Sequence, residues 1–379
     1  MKSKLLAWAI LAACSVASLF GQSAEHSLDV WLPENAPLSV VSSGWGESRA
    51  TARGAALSLD LKTSLRFRNN SRMRLRGISL EVKSQDGTVG SMAGGKASVS
   101  VPSLDVYPGQ EFPVRIELRL LQPAMGAQAK MQAKVKVLLD GVLFDDLSFF
   151  GPNHLQSRRT LTAWELEARR ERQWLRQVLA ERGESGLRQE ILEALARDSR
   201  QPHLSVRVAR GPAALTGGDG LQLAFRQAQE SPVAGVGTMA YRNGAELRIP
   251  EIRVNNQVDR DIRFVEYMLL ARDAQGRLLA AGSLPSPVSL KAKQQGTLRG
   301  NISLEISRLE GAPMEITSLT GVLQRVEYAN GDVWIPSFEG LEAAGVRGNL
   351  PPSFELQRLG DIYRKRSLAA LLEELKRFD

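Results

Sequence analysis

Few residues in this chain could do chemistry. Of 379 residues, one is cysteine, Cys14, and three are histidine, His26, His154 and His203. A lone thiol excludes an intrachain disulfide, a zinc ribbon and a paired-cysteine redox centre. The histidines are far apart, and none has a second ligand at metal spacing, so each is read as structural. No G-x-S-x-G, P-loop or G-x-G-x-x-G occurs. Gly217-Gly218-Asp219-Gly220 is glycine-rich, but no helix follows it, which predicts a hairpin loop rather than a phosphate cradle. Asp145-Asp146, near Asp140, lacks the D-x-D-x-D alternation of a calcium loop. A glycosidase-like pair of glutamates cannot be assigned to one face from sequence. The catalytic, metal and cofactor sets are all read as empty, and the chain is read as no enzyme.

Residues suited to contact are more plentiful. Arg66, Arg68, Arg72, Arg74 and Arg76 sit between apolar positions. They suit either an anion site or a solvated outer sheet face, and the solvated face is the expectation. No interleaved aromatics accompany them, so nucleic acid is not expected as a partner. Trp164, Trp174 and Leu175 are candidates for a surface that binds another protein.

Those three residues lie in the only long helical pattern, Arg158 to Arg197. Leu161, Trp164, Ala168, Leu175, Val178 and Leu179 fall along one side of a helix. Glu165, Arg169, Arg172 and Arg176 take the other side, with Glu165 and Arg169 in the favourable four-residue order. Gly183 is placed to end the run, and Ser185 to cap a shorter helix bearing Leu187, Ile191 and Leu195. A helical hairpin or broken helix is expected, with one apolar stripe that needs cover.

The flanking regions are β in character. Leu57, Leu59, Leu61, Leu65 and Phe67 alternate with small or polar residues, as do Ile78, Leu80 and Val82, and Phe112, Val114, Ile116, Leu118 and Leu120. Pro108-Gly109 reads as a turn, and Asp140-Gly141 as a two-residue hairpin. The alternation resumes after Pro202 and repeats the first region. Ile78, Leu80 and Val82 match Val265, Tyr267 and Leu269, offset by 187 residues. Phe67-Arg68-Asn69-Asn70 is set against Arg253-Val254-Asn255-Asn256, Phe112 against Leu298, and Asp140-Gly141 against Asn330-Gly331. Nearly constant offsets predict a tandem duplication.

The repeated core of apolar strand, Asn-Asn turn, alternating strand and acidic-glycine turn resembles the immunoglobulin-like modules of exported bacterial proteins, including the FxLYD type. Leu80-Glu81-Val82-Lys83 and Met268-Leu269-Leu270-Ala271 stand where that family has its name-giving string. The resemblance implies sandwiches and no activity.

The N-terminus reads as a secretory signal: basic Met1-Lys2-Ser3-Lys4, an apolar run from Leu5 to Phe20, then small and polar residues. That run is shorter than the ~20 residues of a spanning helix, and no later stretch approaches that length. Leu11-Ala12-Ala13-Cys14 resembles a bacterial lipobox, which would make Cys14 a lipidation site and anchor the chain in a membrane. Ordinary cleavage is the other reading, and the apolar residues after Cys14 favour it. Removal of the segment would take the net charge from +8 to +6.

At the other end, Ser353 is placed to cap a helix with Glu355 in its first turn. Leu356, Leu359, Ile362 and Tyr363, then Leu368, Leu371, Leu372, Leu375 and Phe378, form stripes that must dock. The expected fold is mainly β: two antiparallel immunoglobulin-like sandwiches joined by a helical connector, with a C-terminal helix. Segments are expected at 1–23 (signal), 27–152 (first sandwich), 153–200 (connector), 201–349 (second sandwich) and 350–379 (tail). The expected function is that of a non-enzymatic exported envelope protein acting as scaffold or protein-binding module in the periplasm or envelope. Peptide capture by strand addition and an unrecognised cell-wall hydrolase are the alternatives.

Overall fold

A computed structural model describes residues 26–378 apart from 54–55, 86–94, 124–132, 201–203, 211–218, 244–245, 299–301 and 309–314. Cys14, His203, Asp86-Gly87 and Gly217-Gly218 lie outside the described residues. Among the described residues the chain is mainly β, with several sheets and four α-helices. No helix of the described residues is long and apolar enough to cross a membrane.

The first half forms β1 (Ser27–Trp31), β2 (Leu38–Ser42), β3 (Arg49–Arg53), β4 (Ala56–Asn69), β5 (Leu75–Gln85), β6 (Lys96–Val101), β7 (Glu111–Pro123), β8 (Lys134–Phe144) and β9 (Phe149–Phe150). One sheet runs β1-β8-β5-β6, with β9 added to β8. In the other, β4 pairs with β2, β3 and β7. Their facing sides share one core, in which Leu59, Leu65, Phe67, Ile78, Leu80, Val82, Val135 and Val137 are completely buried. The period-two reading is what places them there.

Helix α1 (Ser157–Arg200) follows, and then β10 (Leu204–Arg210), β11 (Asp219–Arg226), β12 (Val233–Val236), β13 (Thr238–Asn243), β14 (Glu246–Ile249), β15 (Ile252–Asn256), β16 (Ile262–Asp273), β17 (Leu278–Leu290), β18 (Gln295–Leu298), β19 (Ile302–Arg308), β20 (Ile316–Tyr328) and β21 (Val333–Trp334). The larger sheet runs β10-β19-β14-β13-β11-β20-β16-β17, with β21 on β20, and a smaller one runs β12-β15-β18. Helices α2 (Phe338–Ala343), α3 (Phe354–Lys365) and α4 (Leu368–Arg377) complete the chain, with a 3-10 turn at Arg347–Asn349.

The pairing scheme of the first half recurs in the second. β1 lies parallel to β8, and β11 lies parallel to β20. β5 sits between β8 and β6 as β16 sits between β20 and β17. Even the irregularities match. Register shifts at Leu75/Gly77 and Ser79/Leu80 reappear at Ile262/Phe264 and Glu266/Tyr267. Asn69 is buried, donates from Nδ2 to the carbonyls of Met73 and Val106, and accepts from the Ser71 amide. Asn256 does the same with Arg260, Lys291 and Val258. The second half departs at the counterparts of β4 and β7. Pro250, which has no N–H to donate, interrupts the first of these between β14 and β15. The pieces are then shared between the two sheets, and β10 is added along β19.

Several sequence expectations are corrected. The sheets are not purely antiparallel, because β1 and β11 reach their partners without a hairpin and pair parallel. Asp140-Gly141 is no hairpin, because Lys134–Phe144 is one continuous strand. Gly141 is there because a Cβ would sit 2.0 Å from the Phe149 ring, and buried Asp140 accepts from the Leu155 amide and Ser157 Oγ. The true turn follows β8, where Leu147 (φ 66°) matches Gly331 (φ 90°). Asn69 therefore matches Asn256 rather than Asn255. Phe112 matches Gly296 rather than Leu298, since each faces the equivalent strand residue, Phe67 or Val254.

Gly183 breaks the helical φ/ψ run at φ 66°, ψ −168°, a region that only glycine enters readily, so α1 is a kinked pair of helices. The Ser185 hydroxyl donates back to the Arg182 carbonyl.

Candidate functional site

Helix α1 is covered on more than one side. Leu161 lies against Gly77 on β5, where an added Cβ would be 3.0 Å from the leucine methyl. Leu175, Val178, Leu187 and Ile191 pack with Leu356, Leu359, Leu371 and Leu375 of the last two helices. Ser353 and Ser367 cap α3 and α4 through their hydroxyls, which fixes where those stripes begin. Phe338 and Leu341 of α2 cover Met268, Leu270 and Val322 on the outer face of the larger sheet.

The polar side of α1 is buried too. Glu165 and Arg172 are 1% and 3% exposed, so their spacing marks a buried ionic row rather than a solvated face. Arg172 pairs with Glu165 at 3.2 Å and with Glu355 of α3 at 3.1 Å. Glu165 also takes Arg169 at 2.8 Å, the ion pair expected from sequence. From the first half, Arg76 reaches Asp105 at 3.0 Å and Asp145 at 2.6 Å, and Arg74 also holds Asp105. From the last helix, Arg377 meets Asp105 at 3.0 Å. The Phe378 ring lies under the guanidinium groups of Arg172 and Arg76, at 4.1 and 5.1 Å. Burial raises the Glu355 carboxyl, but the Arg358 and Arg172 guanidiniums outweigh it and hold it below its ordinary value. Toward the second half, Arg159 pairs with buried Glu327 at 3.1 Å and lies 3.6 Å over the Phe264 ring. One helix thus ties both halves together.

Beside this junction is a cavity of about 330 Å³ between α1, the larger sheet and the segment from Pro336 to Leu356. Its wall carries Arg170, Arg197, Arg325 and Arg347, with Glu167, Glu171, Glu190 and Glu266. Arg347 stacks over Trp174 at 4.2 Å and over Phe338 at 4.4 Å, and pairs with Glu190 at 3.2 Å. Burial pushes the Glu171 carboxyl up to about 7, although Arg170 and the Ser353 hydroxyl act against it. Burial likewise raises Glu167, against the charge of Arg325. A carboxyl protonated near neutrality beside another carboxylate is the minimum of general acid–base chemistry. Here Arg170 and Ser353 hold Glu171, and Arg325 stands between Glu167 and Glu266, so the four acids form a braced wall.

The candidate surface residues are engaged within the chain. Leu175 is completely buried, which removes it from any surface. Trp164 is partly exposed and stacks on Phe354 at 6.0 Å, and Trp174 meets Phe338 edge-on at 5.8 Å. Of the arginine row, Arg74 and Arg76 belong to the ionic junction rather than to a solvated face. Arg66 and Arg68 are exposed and pair with Glu111. His26 stacks on Trp45 at 5.0 Å and accepts from the Ala133 amide. Asp145 serves Arg76, and Asp146 accepts from Ser148. Among the described residues no group of three or more His, Cys, Asp or Glu could hold a metal. Sequence reasoning missed the junction and the cavity. The one available signal was Glu165 and Arg172, seven apart on one helix face.

No family model and no curated protein matches the chain. Among solved structures, it is similar to a β-glucosidase from Kluyveromyces marxianus at 8% identity, covering 72% of this chain and 45% of that one, with a TM-score of 0.16. The glucose complex of that enzyme gives 10%, 74%, 45% and 0.16. Red sea bream transglutaminase gives 9%, 76%, 31% and 0.11. The chain spans less than half the length of these proteins, and at such TM-scores they bear on neither its fold nor its activity.

Proposed function

We propose that this is an exported, non-enzymatic bacterial envelope protein, formed by tandem duplication of an immunoglobulin-like sandwich, that serves as a rigid scaffold for binding another protein. The carrying observation is the ionic junction, in which α1 and the last two helices tie two matched β modules together through buried charges. Breaking such a pair is costly, so it suits a body that must hold two surfaces at a fixed separation. Export rests on the basic, apolar and small-residue sequence of the first 23 positions.

Fusing residues 1–26 to a phosphatase that is active only outside the cytoplasm tests export. Strong activity is expected, and cytoplasmic retention counts against the reading. Palmitate labelling of the wild type but not of Cys14→Ser would assign a lipid anchor. The immobilised full chain should retain a defined partner from envelope extracts, and recovery of none in several detergents would remove the scaffold role.

Strand addition is a second reading, supported by one edge. The outer edge of β19 is covered by β10, whereas the outer edge of β7 carries no paired strand among the described residues. Asn69 N–H donates to the Gln110 carbonyl, and alternation from that pair turns the backbone of Pro113, Arg115, Glu117 and Arg119 outward. Glu117→Pro removes one outward N–H and leaves the β4 ladder intact. Loss of partner binding in that variant alone would favour this reading.

A further inference from the structure

We infer that the outer face of the first sheet, β1-β8-β5-β6, is a docking surface for an anionic lipid bilayer. Lys136, Lys83 and Lys96 stand directly opposite one another on β8, β5 and β6, in one row across three neighbouring strands. Lys134 shares their face, two positions earlier on β8. So does Trp31 at the end of β1, which is 56% exposed and has the Lys136 ammonium 5.0 Å over its ring. Val82, Val135 and Val137 alternate with these lysines and are completely buried, which puts the lysines on the outer side.

Folding does not account for the row, because like charges directly opposite each other on paired strands destabilise a sheet. Lys96, Lys134 and Lys136 make no ion pair among the described residues. Lys83 takes Glu81 at 2.8 Å, and Asp29, opposite Lys136, is the other acid, so four lysines face two carboxylates. The duplication supplies an internal comparison. Lys83, Lys136 and Lys96 correspond to Leu270, Thr320 and Ala280, which form one row of the larger sheet. There the face is apolar, and Phe338 and Leu341 of α2 cover it. In the first module Lys96 and Lys134 are exposed and Lys83 and Lys136 half-exposed, so the equivalent face is basic and open.

A flat face of unpaired ammonium groups with a tryptophan at its rim suits the headgroup layer. Lysines reach lipid phosphates on long stems, and an indole prefers the boundary between headgroups and hydrocarbon. Position in the chain favours a bilayer over an acidic polypeptide. β1 starts at Ser27, shortly after the apolar run that ends at Phe20, so whatever holds that run at a membrane, a lipid on Cys14 included, brings this sheet to the surface first.

The test is flotation of the full chain, carrying Cys14→Ser, with vesicles of phosphatidylcholine alone and of phosphatidylcholine mixed with phosphatidylglycerol. An apolar N-terminus binds both kinds alike, so the difference between them is the readout. Tighter binding to the mixed vesicles is expected, with the preference lost as salt is raised. Each basic residue at an anionic surface strengthens binding about fivefold, so Lys96→Glu, Lys134→Glu and Lys136→Glu together should weaken it about a hundredfold, and Trp31→Ala several-fold. If the triple variant does not fold, Lys96→Gln with Lys134→Gln carries the same comparison. Arg49→Glu, Arg53→Glu and Arg72→Glu together change the net charge equally at exposed positions outside this sheet, and should have far less effect. Equal binding to both kinds of vesicle, or an equal loss in the two triple variants, overturns the inference. Binding of poly-L-glutamate without a preference between vesicles would mark an acidic polypeptide as the occupant and overturn it as well.

Discussion

Nε of Arg377 lies 3.0 Å from Oδ2 of Asp105, 272 positions earlier in the chain. The contact fastens the last helix onto the first β module, at a carboxylate that also receives Arg74 and Arg76 at 3.0 Å each. Asp105→Asn should cost about 3–5 kcal/mol, because it leaves clustered guanidiniums without their anion. Urea unfolding measures this, and limited proteolysis should show the helices after residue 353 becoming accessible. A loss below about 1 kcal/mol would mean that the junction is held by apolar packing alone.

Trp164 stacks on Phe354 while part of its ring stays exposed. Trp164→Ala should therefore cost roughly 2 kcal/mol, below the 3–5 of a fully buried ring. An unchanged unfolding midpoint would show that the contact contributes nothing and would return Trp164 to the candidate partner surface.

Glu171 makes stability depend on pH. Its folded pKa, about 7, lies above the ordinary 4.5, so the stabilising contribution is complete below 4.5 and is lost as pH rises through 7. Glu171→Gln, a neutral stand-in for the protonated acid, should be more stable than wild type by about 1–3 kcal/mol at pH 8 and close to it at pH 4. Denaturant midpoints at the two pH values check this, and a gain of equal size at both would rule out titration as the cause.

Leu147 holds φ 66° where the second module has Gly331 at φ 90°. Leu147→Gly should raise stability by about 0.5–1 kcal/mol through relief of backbone strain. A drop of more than about 1 kcal/mol would show that the leucine side chain contributes more than its backbone costs.

The strands were legible because alternation and burial are one signal. Leu59, Leu65 and Phe67 are buried as their spacing demands. The recurrence was legible through its Asn-Asn pairs, but its alignment slipped at Asp140-Gly141. There the dipeptide's turn preference yields to the Phe149 ring, which needs the space a Cβ would fill. The junction was hidden for a different reason. Charges spaced along a helix look alike whether they meet water or buried partners, and the partners of Arg172 and Asp105 come from segments remote in sequence. Trp164 and Trp174 read as candidates for a partner surface because nothing local announces that Phe338, Arg347 and Phe354 fold back onto them.

A rigid scaffold requires the two β modules to move as one body. The direct measurement is the distance distribution between spin labels on cysteines placed at exposed Arg115 and Ala274, with Cys14 replaced by serine, read by pulsed electron paramagnetic resonance. A single narrow distribution, broadened by Asp105→Asn, is the predicted result. A broad or multi-peaked distribution in the otherwise wild-type chain would contradict it.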